Sequence, residues 1–123
     1  MIAFQSLADL SSAVESGALS PRGIVDAYLE RIERFDQKLH AYVSVYAQEA
    51  RAAADAAGEA IESGHRIGPL HGLPISLKDI IDLEGRVTTG GSAVWVDRIS
   101  PSTAVLAERL IAAGMIVIGK THT

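Results

Sequence analysis

The first half of the chain has apolar residues at the spacing of amphipathic helices. After Ser20-Pro21, apolar positions recur every three or four residues up to Phe35, and proline suits the first position of a helix. A shorter helix is predicted between Ser6, with Asp9 three residues later as in a capping box, and Gly17. An alanine-rich helix is predicted over residues 47–64. The segment between the helix that begins at Ser20 and the alanine-rich helix, "HAYVSVY", is expected to be a short extended or irregular link.

The pattern changes to that of strands near Gly68. Leu73, Ile75 and Leu77 alternate with other residues, which predicts a short strand ending near Lys78. The glycines of "VTTGGSAVW" predict a loop.

A helix is then predicted to begin near Ser100-Pro101 or Ser102, to bury Leu106, Leu110 and Ala113, and to end at Gly114. The run "MIVI" directly after it is typical of a strand covered on both faces. We therefore expect an α/β fold, mainly helical over 1–67 and with strand, loop, helix and strand over 68–123.

Composition narrows the possible functions. The 123 residues are 48% hydrophobic and 21% charged, which is typical of a globular protein. A formal net charge of −4 without a basic run argues against nucleic-acid binding. The absence of cysteine rules out thiol nucleophiles, disulfides and thiolate metal sites. No apolar run has membrane-spanning length and the N-terminus lacks the pattern of a secretory signal, so the expected location is the cytoplasm.

Lys78 is the residue with the most informative position. It follows the apolar strand and is followed at once by Ile80 and Ile81, although lysine is among the residues least often buried. One interpretation is structural: the ammonium reaches solvent or pairs with Asp79 or Asp82. The other is functional: an inward-pointing lysine in an apolar setting loses its proton and acts as a base. The pattern alone leaves both open.

Three other features suggest chemistry less strongly. Residues 114–121, "GMIVIGKT", match the phosphate-loop pattern, but its middle positions favour a strand and a helix precedes it. A nucleotide-binding module there is a remote alternative. The four histidines show no metal-binding spacing, so no metal is expected. Ser92 lacks the Gly-x-Ser-x-Gly pattern of a nucleophile elbow, so a glycine turn is preferred there.

Two blocks resemble the amidase-signature family. "GPLHGLPISLKDIIDLEGRVTTGGS" is similar to the family's Gly-Pro-Leu-x-Gly-Ile/Leu-Pro-x-x-x-Lys-Asp segment and its threonine-rich Gly-Ser loop. "STAVLAERLIAAGMIVIGKTHT" is similar to the helix that ends in Ala-Gly-Ala-x-x-x-Gly-Lys-Thr. The resemblance extends from Ser20 onwards. It implies strands of a mixed sheet, the N-terminal portion of a single amidase-signature domain over residues 1–123, and hydrolysis of a small-molecule carboxamide without a cofactor.

The resemblance also implies a role for Lys78. Its position matches the family's catalytic lysine, the general base of a Ser–Ser–Lys triad that transfers an acyl group to serine. Ile80 departs from the asparagine that is frequent in the family at that position. Neither Ser76 nor Ser92 matches a triad serine, because the family's serine-rich segment lies downstream of the "GKT" block.

Several expectations follow for the 123-residue chain itself. The chain alone should be inactive, since only the base of the triad is in it. It should also self-associate, because strands with missing neighbours expose their edges. The alternatives left open are a free amidase, an amidotransferase subunit, and a catalytically inactive truncated product or assembly module.

Overall fold

The computed structural model describes every residue from Met1 to Thr123. Its helices and strands, in chain order, are α1 (Leu7–Ser16), α2 (Pro21–Leu39), β1 (Tyr42–Val45), α3 (Ala47–Glu62), β2 (Pro74–Lys78), α4 (Val105–Ala112) and β3 (Ile116–Thr121). None of the helices combines the length and apolar character needed to cross a lipid bilayer.

Both predicted ends of α1 and the predicted start of α2 are confirmed. The Ser6 hydroxyl accepts the backbone N–H of Asp9 at 3.1 Å, and α1 gives way to Gly17 with φ +80°. The Ser20 hydroxyl accepts the N–H of Gly23 at 3.0 Å, and Pro21 opens α2. These ends depend on contacts within a few residues, which is why the sequence predicts them well.

Helices α2 and α3 pack together and against the sheet through β3. The alanines of α3 let it approach α2 closely, so that Ala50, Ala54 and Ala57 form a core cluster with Val25 and Leu29 of α2. Two β3 residues, Ile116 and Ile118, complete that cluster.

The sheet has the order β1-β3-β2, with β3 antiparallel to β1 and parallel to β2. The mixed α/β architecture expected from the sequence is therefore confirmed. The link "HAYVSVY" proves to contain a strand, β1.

The start of α4 was predicted wrongly. The helix begins at Val105 and not near Ser100, because the Ser100 hydroxyl is buried and bonds to Asp82 and Thr88 instead of capping a helix. The predicted inward face of α4 is also partly wrong. Leu106 is 55% exposed, whereas Ala107 is fully buried.

Candidate active site

The site lies where β2 ends and a glycine loop returns to it. Lys78 is the last residue of β2, and the next residue, Asp79, is buried. The Asp79 carbonyl oxygen accepts the N–H of Gly90 at 2.8 Å. Gly90 and Gly91 both have positive φ, +61° and +77°, a backbone conformation that glycine adopts without steric cost. The fold thus brings the predicted lysine and the predicted loop together.

The expectation that Lys78 points into an apolar interior is wrong for this chain. Its side chain is exposed, while the preceding Leu77 is buried. The physical reason is that β2 is an edge strand and Lys78 its final residue, on the face opposite Leu77. Ile80 does not cover it either, being 55% exposed itself.

The two aspartates that were alternative partners for Lys78 bond elsewhere. Asp79 faces Lys120, with 3.7 Å between Oδ1 and Nζ. Asp82 receives two hydrogen bonds from the Arg98 guanidinium, at 2.8 and 3.2 Å. Lys78 therefore has no ion pair in the structure, and its ammonium lies in solvent.

The buried lysine is Lys120, which sequence reasoning did not single out. Its side chain is fully buried on β3, and Nζ donates a hydrogen bond of 2.9 Å to Thr88 Oγ1. Burial lowers the pKa of this ammonium, and the nearby Asp79 carboxylate acts in the opposite direction. Simple alternation along β3 gives no signal for this, because the register shifts after Val117: Val117 pairs with Ile75, and Lys120 pairs with the buried Leu77.

The position of Lys120 also decides against the phosphate-loop hypothesis. Residues 116–121 form the central strand of the sheet, and no loop wraps around a ligand position there. A phosphate loop needs a lysine that can reach a phosphate, but the Lys120 ammonium is held inside the protein by Thr88. The "GKT" block therefore has a structural place in the sheet.

A series of polar groups links the two charged pairs. Lys120 donates to Thr88, the hydroxyls of Thr88 and Ser100 are 2.9 Å apart, and Ser100 donates to Asp82 Oδ1 at 2.9 Å. A serine hydroxyl has one proton, so with Ser100 donating to Asp82 the Thr88 hydroxyl donates to Ser100. The hydrogen bonds from Arg98 and, to a smaller extent, from Ser100 lower the pKa of Asp82 to about 2. Each polar side chain in this series thus has a hydrogen-bond partner.

The two serines of the first resembling segment, Ser76 and Ser92, have structural partners. Ser76 Oγ forms a hydrogen bond with the Tyr42 hydroxyl between β2 and β1. Ser92 Oγ accepts the N–H of Val94 at 3.2 Å, which is the turn contact expected for a serine in a glycine loop.

Comparison with known proteins gives the family. The family described as Amidase matches residues 23–123. The chain is 40% identical over 115 residues to a component of the glutamyl-tRNA(Gln) amidotransferase of Streptomyces coelicolor, covering 94% of this chain and 23% of that protein. It is 42% identical over 121 residues to the putative amidase AmiB2 of Mycobacterium tuberculosis, covering 98% of this chain and 26% of that protein.

Solved structures agree with this match. The native peptide amidase of Stenotrophomonas maltophilia superimposes with a TM-score of 0.89 at 34% identity, over 97% of this chain and 25% of that one. The chain belongs to the amidase-signature family, and it spans about a quarter of the length of the relatives it matches.

Proposed function

We propose that this chain is the N-terminal part of an amidase that hydrolyses the C–N bond of a carboxamide by acyl transfer to a serine, with Lys78 as the general base. The observation that carries the proposal is the position of Lys78 at the carboxyl end of β2, beside the Gly90 loop that bonds to Asp79. Open sheets place ligand sites at the carboxyl ends of their strands. Membership of the amidase-signature family supplies the reaction class.

In this mechanism Lys78 accepts a proton. A neutral amine takes the proton of a bridging serine, which in turn removes the proton of the serine that attacks the carboxamide carbon. The proton held by Lys78 returns through the bridging serine to the substrate nitrogen, which leaves as ammonia or as a larger amine. Water then attacks the acyl-serine, giving up a proton along the same path, and the acid is released as the serine recovers its proton. Lysine suits this role because a dry setting removes its charge, whereas arginine keeps its charge.

The exposure of Lys78 defines what the mechanism still requires. Residues 1–123 leave this side chain in solvent, so the dry setting has to come from protein or substrate placed over the end of β2. Ser76 and Ser92 already have structural partners. The proposal therefore includes that residues 1–123 alone are inactive, with both triad serines supplied from outside them.

A second candidate is a catalytically inactive product that acts only through assembly. The exposed Lys78 side chain favours it, as do the open edges of β1 and β2 in the sheet. In this case residues 1–123 would self-associate or dock onto other chains. Exposed apolar side chains in the segment that follows Ser92, such as those of Val94 and Trp95, would strengthen the association between chains.

The substrate proposed here is a small carboxamide. Among the relatives, one is named as part of an amidotransferase and one as a putative amidase, so the proposal includes both a free amidase and an amidotransferase subunit. No cofactor, metal or nucleic acid is part of the mechanism, and the proposed location is the cytoplasm.

The experiment is an ammonia-release assay on simple amides and glutamine, using the protein that carries residues 1–123. Lys78→Ala should abolish release, because it removes the base and leaves the fold intact. Lys38→Ala, which removes an exposed lysine of α2, is the matched control and should keep wild-type activity. Full activity of Lys78→Ala would overturn the proposed role.

The isolated 123-residue chain provides a second arm of this experiment. It should release no ammonia above background. Turnover that Ser92→Ala abolishes would show that a serine within the chain is the nucleophile, and the proposed mechanism would then be wrong.

A further inference from the structure

The ion pair between Asp79 and Lys120 needs a physical reason to exist. Both side chains are almost completely buried, and the other charges near them are Asp82 and Arg98, which already neutralise each other. Removing two charges from water is expensive, and a well-packed apolar pair is often as stable as a buried ion pair. A buried pair of this kind is therefore better explained by the geometry it enforces than by the stability it adds.

The pair is placed to fix the end of β2. The Asp79 carboxylate accepts the N–H of Thr89 at 3.3 Å and also the Thr89 hydroxyl. The Asp79 N–H donates to the Thr121 carbonyl of β3 at 2.9 Å, next to Lys120. One residue thus ties together β3, the end of β2 and the glycine loop.

The Lys78 backbone is held by β3 and by the turn that follows β2. It is paired with Thr121 in the parallel register of β2 and β3. Its own carbonyl oxygen accepts the N–H of Ile81 at 2.9 Å, and its neighbour Asp79 is fixed as described. The backbone of Lys78 is therefore fixed by strand pairing and hydrogen bonds although its side chain is in solvent, and a side chain is placed accurately when its backbone is supported in this way.

We propose that the Asp79–Lys120 pair is a positioning device that sets Lys78 against the Thr89–Gly91 loop for catalysis. This inference rests on the proposed function of Lys78. Lys120 acts through Asp79 and Thr88, both of which it contacts, and touches no reacting atom. Asp79 and Lys120 are positioning residues that the base depends on.

The test uses the protein that carries residues 1–123 and a double-mutant cycle. The variants are Lys120→Met, Asp79→Asn and both together, since methionine keeps an unbranched side chain and asparagine keeps an acceptor for Thr89. Lys38→Met and Asp55→Asn are matched controls, because Lys38 is exposed and Asp55 forms a surface pair with Arg22. The measurements are kcat and KM for ammonia release, and hydrogen exchange of the Thr89 and Gly90 amides.

Each single variant should lower kcat by about a hundredfold, the effect of a small misplacement of a catalytic group, with little change in KM. Exchange at Thr89 and Gly90 should become faster in the same variants. The double variant should recover part of both losses, because it leaves no unpaired buried charge. The two controls should match the wild type.

Two results would overturn the inference. One is wild-type kcat in folded Lys120→Met, which would make the pair a purely structural element. The other is a fold-loss of kcat in the double variant that equals the product of the fold-losses in the two single variants, which would mean that the two residues do not act together. Where a single variant fails to fold, the double variant decides: wild-type kcat in it would refute positioning.

Failure of the proposed function itself gives a different result. The wild-type protein would then release no ammonia, or Lys78→Ala would release it as fast as the wild type. Amide exchange at Thr89 and Gly90 would still become faster in the single variants if the Asp79–Lys120 pair fixes the loop. An unchanged exchange rate would show that the pair does not fix the loop.

Discussion

Gly119 lies at a contact point between β3 and β1 that has no room for a side chain. A Cβ atom built there lies 3.0 and 3.2 Å from two atoms of the Tyr42 ring, and closer still to the Ser44 carbonyl oxygen. The ring could turn, but the carbonyl belongs to the backbone of β1. Gly119→Ala therefore forces β1 away from β3.

The size of this effect follows from the contacts that β1 makes. Overpacking a filled interior costs about 1–3 kcal/mol. Moving β1 also weakens at least one backbone hydrogen bond to β3, such as the bond of 2.9 Å from the Tyr46 N–H, directly after β1, to the Ile118 carbonyl oxygen. The loss of one such hydrogen bond costs about 1 kcal/mol. Together these give a loss of about 2–4 kcal/mol in the free energy of unfolding.

The assay is urea denaturation of the protein that carries residues 1–123, with Gly58→Ala as the control. Gly58 is inside α3, and a Cβ there would lie 3.9 Å from Pro21 Cδ, an ordinary contact. Because alanine favours helices, the control should gain about 0.5–1 kcal/mol. Equal stability of the two variants would refute the close approach of β1 and β3.

Three further predictions concern stability and association. Arg98 and Ser100 keep the pKa of Asp82 at about 2, below its ordinary value of 3.8. The ionised Asp82 therefore stabilises the folded state above pH 3.8, and this contribution to the free energy of unfolding is lost as the pH falls towards 2. Urea titrations over that range should show this loss, and Asp82→Asn should remove it. Gly114→Ala should lower the denaturation midpoint more than Gly64→Ala. Both glycines have positive φ, but a Cβ atom added at Gly114 would lie 2.9 Å from His71 Cα, whereas one added at Gly64 would meet nothing within 4 Å. Equal losses in the two midpoints would contradict this. The isolated 123-residue chain should self-associate through its open strand edges, as measured by light scattering after size exclusion, and a monomer that melts cooperatively would disprove it.

Local signals explain which parts of the fold were predictable. The starts of α1 and α2 depend on Ser6 and Ser20, which bond to backbone groups only three residues away. The start of α4 was not predictable in this way. Ser100 resembles a cap in the sequence, but its hydroxyl bonds to residues 12 and 18 positions earlier in the chain.

The same distinction applies to the two lysines of the site. Alternation along β2 shows which of its residues share a face, but not which face the helices and loops will cover. In β3 the register shift after Val117 interrupts even that alternation. Lys78 faces solvent at the end of an edge strand, whereas Lys120 is covered on the central strand and meets Asp79. The burial of Lys120 depends on Thr88 and Asp79, 32 and 41 positions away, and no local pattern reports such contacts.

The central claim is that Lys78 acts as a base, and single-turnover acylation by Lys78→Arg tests it most directly. Arginine keeps the positive charge and most of the length of lysine but cannot accept a proton. In the protein that carries residues 1–123, this variant should therefore lose acyl-enzyme formation as completely as Lys78→Ala. A substantial fraction of the wild-type acylation rate in Lys78→Arg would contradict the account, because the charge of the residue and not its basicity would then be what the reaction needs.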